Sequence, residues 1–174
     1  MAGEEIYLDV ETLRLSDEVP GSWGNIKDFG LAVAVTWNAH DNFRHWFETD
    51  ASKLVSELGG FSRIITFNGN RFDLEVLRGY TPVRHLLSKS LDLLADLKPR
   101  LGHRVSLASL AQATLGCAKS GTGLEAVEWW RAGKKEKVVR YCEQDVQLLI
   151  DVVQFARRNG FVVVDGRRVK VQWI

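Results

Sequence analysis

The chain has 174 residues, 45% of them hydrophobic and 26% charged, so it is long enough to bury a core and reads as one domain spanning 1–174. Only 15 glycines and 3 prolines interrupt it, which excludes a disordered or low-complexity protein, and no apolar run is long enough to cross a bilayer. The net charge of +1, from 23 basic and 22 acidic residues, neither demands nor forbids a polyanionic partner, so the placement of charge matters more than its sum.

In chain order, the acidic start Met1–Glu5 carries no signal-peptide pattern and runs into a first predicted strand, Glu5–Val10. Residues 16–28, with Pro20, Gly21 and Gly24, read as a long loop. Phe29–Trp37 is rich in β-branched and aromatic residues and reads as a strand. A turn at Ala39–Asn42 leads into another, Phe43–Phe47. A helix over Ala51–Leu58 ends at Gly59-Gly60, a strand follows at Arg63–Phe67, and Asn68-Gly69-Asn70 turns into a helix over Arg71–Arg78. Three more helices are expected, at Ser106–Leu115 (capped by Gly116), Leu124–Arg131 and Lys134–Arg158. Strands at Phe161–Val164 and Arg167–Trp173 flank Asp165-Gly166, a strong hairpin signal. Three strands followed by α/β units imply a mixed sheet flanked by helices, with a C-terminal β-hairpin. Cys117 and Cys142 form no Cys-x-x-Cys pair, and two thiols in such a chain point to a reducing, cytoplasmic setting.

Four carboxylates stand where a globular fold has little structural use for them. Asp9 and Glu11 are two residues apart at the end of a strand, so both leave the same sheet face. Asp73 lies in the first turn of a helix after a buried strand, where a capping role with Asn70 as N-cap competes with metal ligation. Asp145 interrupts the apolar stripe Val138, Tyr141, Cys142, Leu149 and Val152 at helical spacing, so it faces the core or a cleft, and a carboxylate there needs a partner or a cation. An oxygen-only cluster suits Mg²⁺ or Mn²⁺ rather than zinc, and two such ions activate a water and stabilise the leaving oxygen in phosphodiester hydrolysis.

Asp9-Val10-Glu11-Thr12, Asn68-x-x-x-Phe72-Asp73 and Tyr141-x-x-x-Asp145 together resemble the three motifs of the DEDD-type 3′–5′ exonuclease superfamily, in its tyrosine variant. Arg140 stands where the histidine variant would carry its histidine. Gly21–Gly24, Ser106–Ala111, Leu115-Gly116 with Lys119-Ser120, Tyr141-Cys142 and the Asn159–Val162 ending are similar to the YprB-like, helicase-associated branch of predicted exonucleases. The resemblance implies an RNase H-like fold. It also implies that Asp9, Glu11, Asp73 and Asp145 bind two Mg²⁺ or Mn²⁺ ions and that Tyr141 orients the attacking water. Thr12, Asn68 and Phe72 match positions that support the terminal nucleotide, and the branch implies a helicase partner. The long Trp-bearing loop between the first two strands departs from proofreading enzymes, so substrate preference does not carry over.

Weaker signals remain. Lys98, Arg100, His103 and Arg104 read as a basic loop able to hold a phosphate backbone, against a solvated loop as the default. Asp92 is a further acid near the site. Trp129-Trp130 reads as core packing before base stacking, and the basic C-terminal hairpin as a solvated face. Gly116–Gly123 lacks the glycine and lysine spacing of a phosphate loop. The sequence therefore predicts a metal-dependent 3′–5′ exonuclease acting on a single-stranded DNA or RNA end and releasing nucleoside 5′-monophosphates. The alternatives are a non-catalytic module binding nucleic acid or a helicase, and a structure-specific endonuclease.

Overall fold

The computed structural model describes residues 4–117 and 122–173. Lys119 and Ser120 of the resemblance lie outside the described residues. Five strands form one mixed sheet: β1 (Glu5–Thr12), β2 (Leu31–Asn38), β3 (Asn42–Phe47), β4 (Arg63–Thr66) and β5 (Ser90–Asp92). Their order is β3-β2-β1-β4-β5, antiparallel on the β2 side of β1 and parallel on the β4 side. Helix α1 (Ala51–Leu58) follows the β2–β3 hairpin and leads to β4. Helices α2 (Asp73–Arg78) and α3 (Arg84–Leu87) then make the crossover to β5. Next come α4 (Leu93–Leu101), α5 (Leu107–Leu115), α6 (Gly123–Arg131) and α7 (Lys135–Asn159), then a hairpin of β6 (Phe161–Val164) and β7 (Arg167–Lys170).

The period of two along β1 divides the molecule. Ile6, Leu8 and Val10 point to one face, where they pack with Ile64, Leu54, Leu58 and Leu77 under α1 and α2. Tyr7 points to the other face and joins Val33, Val35 and Ile65 beneath α7, whose stripe Val138, Tyr141, Cys142, Leu149 and Val152 is buried as its spacing predicts. Asp9 and Glu11, in phase with Tyr7, face α7 rather than α1.

The structure adds elements that the sequence pattern does not announce. The 16–28 loop holds three 3-10 turns, at Ser16–Glu18, Ser22–Gly24 and Ile26–Asp28. Residues 90–101 form β5 and α4, so Lys98 and Arg100 stand on a helix and not in a basic loop. The helix expected from Arg71 begins at Asp73, with Phe72 at the N-cap position instead of Asn70. The second hairpin strand stops at Lys170. A register shift opposite Glu11/Thr12 sets Leu31 and Ala32 against a single β1 position, a bulge at the end of the strand that carries the first two acids.

Candidate functional site

The carboxyl ends of β1 and β4 lie side by side because the two strands are parallel, and in open α/β sheets such ends are where ligands gather. Asp9 and Glu11 come from β1, Asp73 opens α2 beyond β4, and α7 brings Asp145 across the same face. Glu11, Asp73 and Asp145 are buried and Asp9 is half-buried. One carboxylate oxygen from each of Asp9, Glu11 and Asp145 lies within 4.8 Å of the others.

Asp73 stands outside that closest group but is coupled to it by charge. Burial pushes its carboxyl well above the usual carboxylate range, and the negative charge of Asp9 pushes the same way. Asp73 is the first residue of α2, and its carboxylate accepts from its own amide and from that of Val10, bonds that oppose the upward shift without outweighing it.

Cys142, one helical turn before Val146 and fully buried, donates its thiol hydrogen to Asp9 Oδ2 at 3.2 Å and to the Asp9 carbonyl at 3.4 Å. Burial holds this thiol well above its ordinary pKa, and the charges of Asp9 and Glu11 add to the effect. It is thus a neutral donor to Asp9, and the candidate donor atoms gathered here are carboxylate oxygens. Three to four carboxylates with no histidine among them are the donor chemistry of a hard divalent cation, so the residues fit Mg²⁺ or Mn²⁺.

Tyr141 is buried on the same face of α7, and the Trp129 ring meets it edge-on at 5.8 Å. Trp129 and Trp130 are both partly buried, with Lys137 over Trp129 and Lys135 over Trp130. They act mainly as packing, and Trp129 fixes the ring of Tyr141.

The turn between β4 and α2 depends on Asp92, whose role the sequence reading missed. Its carboxylate accepts from the backbone amides of Asn68 (2.8 Å), Asn70 (3.1 Å), Leu94 (3.0 Å) and Ala95 (3.2 Å). Those four bonds make it the N-cap of α4 and the clamp of the 68–70 turn. The signal was local and available: an acid immediately before an apolar helical run. Asn68 adopts a left-handed conformation (φ 68°), and Gly69 passes so close to Thr66 that an added Cβ would lie 2.3 Å from Thr66 Oγ1. Glycine is required there by contact.

Of the residues expected to touch nucleic acid, Asn68 and Phe72 line one groove together with Trp23, Ile26, Arg71 and Arg104. Arg104 donates to Asn68 Oδ1 at 3.2 Å. Arg100 and His103 are not brought there. Arg100 pairs with Asp96 at 2.8 Å and His103 with Asp165 at 3.1 Å, at a separate groove beside the hairpin. Thr12 is buried, and its hydroxyl donates to the Arg14 carbonyl at 3.1 Å, shaping the strand exit. Among the described residues no helix is long and apolar enough to cross a membrane.

Comparison with known proteins agrees with this architecture. No curated protein matches the chain. Among solved structures, the family B DNA polymerase from the hyperthermophilic archaeon Pyrobaculum calidifontis superposes with a TM-score of 0.66 at 14% sequence identity, over 89% of this chain and 24% of the polymerase chain. The chain therefore spans about a quarter of that polymerase, and at this identity the likeness is one of fold. The family model described as RNase_H superfamily matches residues 6–156, from the first strand to the penultimate turns of α7. The mixed sheet with helices on its faces is RNase H-like, and the chain belongs to the RNase H superfamily.

Proposed function

We propose that the protein is a metal-dependent 3′–5′ exonuclease that hydrolyses phosphodiester bonds of single-stranded DNA or RNA and releases nucleoside 5′-monophosphates. The observation that carries the reading is the gathering of Asp9, Glu11 and Asp145 oxygens within 4.8 Å, with Asp73 coupled to Asp9 from a third element. So many acids on one buried face destabilise one another unless a cation or protons intervene. Direction and product rest on the resemblance of the three motifs; membership of the superfamily supports the nuclease chemistry.

In this reading Asp9, Glu11, Asp73 and Asp145 hold two Mg²⁺ or Mn²⁺ ions, which when bound would supply an activated water and charge stabilisation at the leaving oxygen. Cys142 keeps Asp9 in one orientation through its thiol hydrogen bond. Tyr141, with its ring fixed by Trp129, orients the attacking water. Asn68 and Phe72, on the clamped turn, support the terminal nucleotide.

The test is a 5′-labelled single-stranded DNA or RNA oligonucleotide incubated with Mn²⁺, Mg²⁺ or EDTA. A ladder shortening from the 3′ end is expected only with metal. Asp145→Asn should lower the rate by about a thousandfold, the scale of losing metal-based charge stabilisation, while its circular dichroism stays that of the wild type. Cleavage of a circular single strand would replace the reading with an endonuclease. Inertness of the folded wild type with every metal would replace it with a binding module.

A further inference from the structure

Large apolar side chains are exposed at only a few described positions, and Trp23, at 56% exposure, is the one that lines a cationic groove. Its exposure does not come from a slack loop. Asn25 Nδ2 donates to the Pro20 carbonyl at 3.0 Å and to Asp28 Oδ2 at 2.6 Å, and Arg14 Nη1 donates to the Asp28 carbonyl at 2.8 Å. Gly79 comes so close to the Lys27 carbonyl that an added Cβ would lie 2.1 Å from it, which seats the loop against the end of α2. Within this pinned segment Ser22 holds a left-handed conformation (φ 47°), a strained state for a non-glycine residue that holds only when its surroundings impose it. The result is a fixed indole that meets the buried Phe29 edge-on at 5.6 Å and the half-buried Phe72 at 6.3 Å, and still presents more than half of its surface to solvent.

The charge around this ring is as specific as its placement. Arg71 and Arg104 line the same groove and both are exposed. Among the described residues neither pairs with a carboxylate: Arg104 donates to the neutral Asn68 amide oxygen. Glu75, which lines the adjoining groove with Arg71, is held by Arg78 at 2.6 Å. An aromatic platform sharing a groove with two guanidinium groups that pair with no carboxylate among the described residues is complementary to a base flanked by phosphates, and the indole stacks most readily on a base that is not already stacked within a duplex. Phe72, which lines the groove, directly precedes Asp73 in the chain, so a strand lying in the groove leads toward the carboxylates.

We propose that Trp23, with Arg71 and Arg104, forms a stacking clamp for an unpaired base of single-stranded nucleic acid. The proposal rests on the nuclease reading for its purpose but not for its test, which uses binding without metal. Anisotropy of a 5′-fluorescein-labelled ten-residue oligothymidylate, and of the same strand with its two 3′-terminal nucleotides abasic, would be measured in EDTA. Against the base-bearing strand, Trp23→Ala should weaken binding at least about fivefold, the lower end of what one stacked base contributes, while Trp23→Phe should stay within about twofold of the wild type. Against the abasic strand, wild type and Trp23→Ala should bind alike. Arg71→Ala with Arg104→Ala should weaken both strands and flatten the salt dependence. Melting curves confirm that each variant is folded.

Equal binding of wild type and Trp23→Ala to the base-bearing strand, equal losses on both strands, or no binding by the wild type would each overturn the clamp. A wild type that binds in this pattern yet cleaves nothing with Mn²⁺ would overturn the exonuclease reading and leave the clamp standing.

Discussion

Asp73 carries an electrostatic cost that can be read from its surroundings. Its buried carboxyl is held above the usual carboxylate range first by desolvation and then by Asp9. A carboxyl whose native pKa exceeds its unfolded value near 4 binds more protons in the folded state, so its contribution to stability falls as pH rises from about 4 through the raised native value. At neutral pH the protein therefore bears a cost that, in the reading proposed above, a divalent cation would relieve. Asp73→Asn removes the charge and keeps the shape. In EDTA at pH 8 the variant should be more stable than the wild type by about 0.5–2 kcal/mol in urea denaturation, the usual gain from relieving a functional strain. The difference should shrink as pH approaches 4, and Mn²⁺ should stabilise the wild type more than the variant. A variant less stable than wild type at pH 8 would mean that the carboxylate is structural. The buried Cys142 thiol beside Asp9 belongs to the same economy of charge, because it donates a hydrogen bond without adding a ligand of its own.

At the scale of elements, Asp73 is presented from a turn that is locked between β4 and β5. Asp92 ends β5, caps α4 and holds the Asn68 and Asn70 amides, so one carboxylate joins three elements. Asp92→Ala removes a cap and strands buried amide donors; it should cost about 2–5 kcal/mol in chemical denaturation. Hydrogen exchange at Asn68 and Asn70 should accelerate before the global transition, and unchanged protection there would refute the clamp. This is also where sequence reading reached its limit. The acids of β1 were legible because a strand's period of two puts Asp9 and Glu11 on one face, and Asp145 was legible because it breaks an apolar stripe of period 3.6. The three residues of β5 are too few for any period, and Pro99 and Gly102 make the end of α4 look like a loop. Arg100 pairs with Asp96 one turn earlier on α4, a spacing that becomes legible only once the helix is recognised, whereas His103 leaning on Asp165 and Arg104 facing Asn68 follow from contacts between distant segments that no local pattern encodes.

At the scale of the molecule, the superfamily match ends at residue 156, yet the hairpin that follows is part of the core beneath α7. Val162, Val164, Val171 and Trp173 are buried with Val146, Leu149 and Val153, and Thr114 of α5 exchanges hydrogen bonds with the amide and carbonyl of Val163. The Trp173 indole donates to Asp96 Oδ2 at 2.9 Å, and its carbonyl accepts from Arg157 Nε at 2.6 Å. The same arginine reaches Glu5 Oε1 at 2.8 Å, so the last residues of the chain are tied through α7 to the first strand. The hairpin's role is then to hold the C-terminal half of α7 while the N-terminal half carries Tyr141, Cys142 and Asp145. Trp173→Ala should cost about 3–5 kcal/mol, as removal of a buried aromatic does, with part of it recovered in Trp173→Phe, which keeps the ring but loses the bond to Asp96. Because the lost packing lies at the far end of the helix, the rate of oligonucleotide hydrolysis well below the melting temperature should stay within about twofold of wild type, since distant sites act nearly independently. A loss under about 1 kcal/mol would reduce this C-terminal segment to an appendage. A large fall in rate with the fold intact would show instead that its grip on α7 sets the position of Asp145.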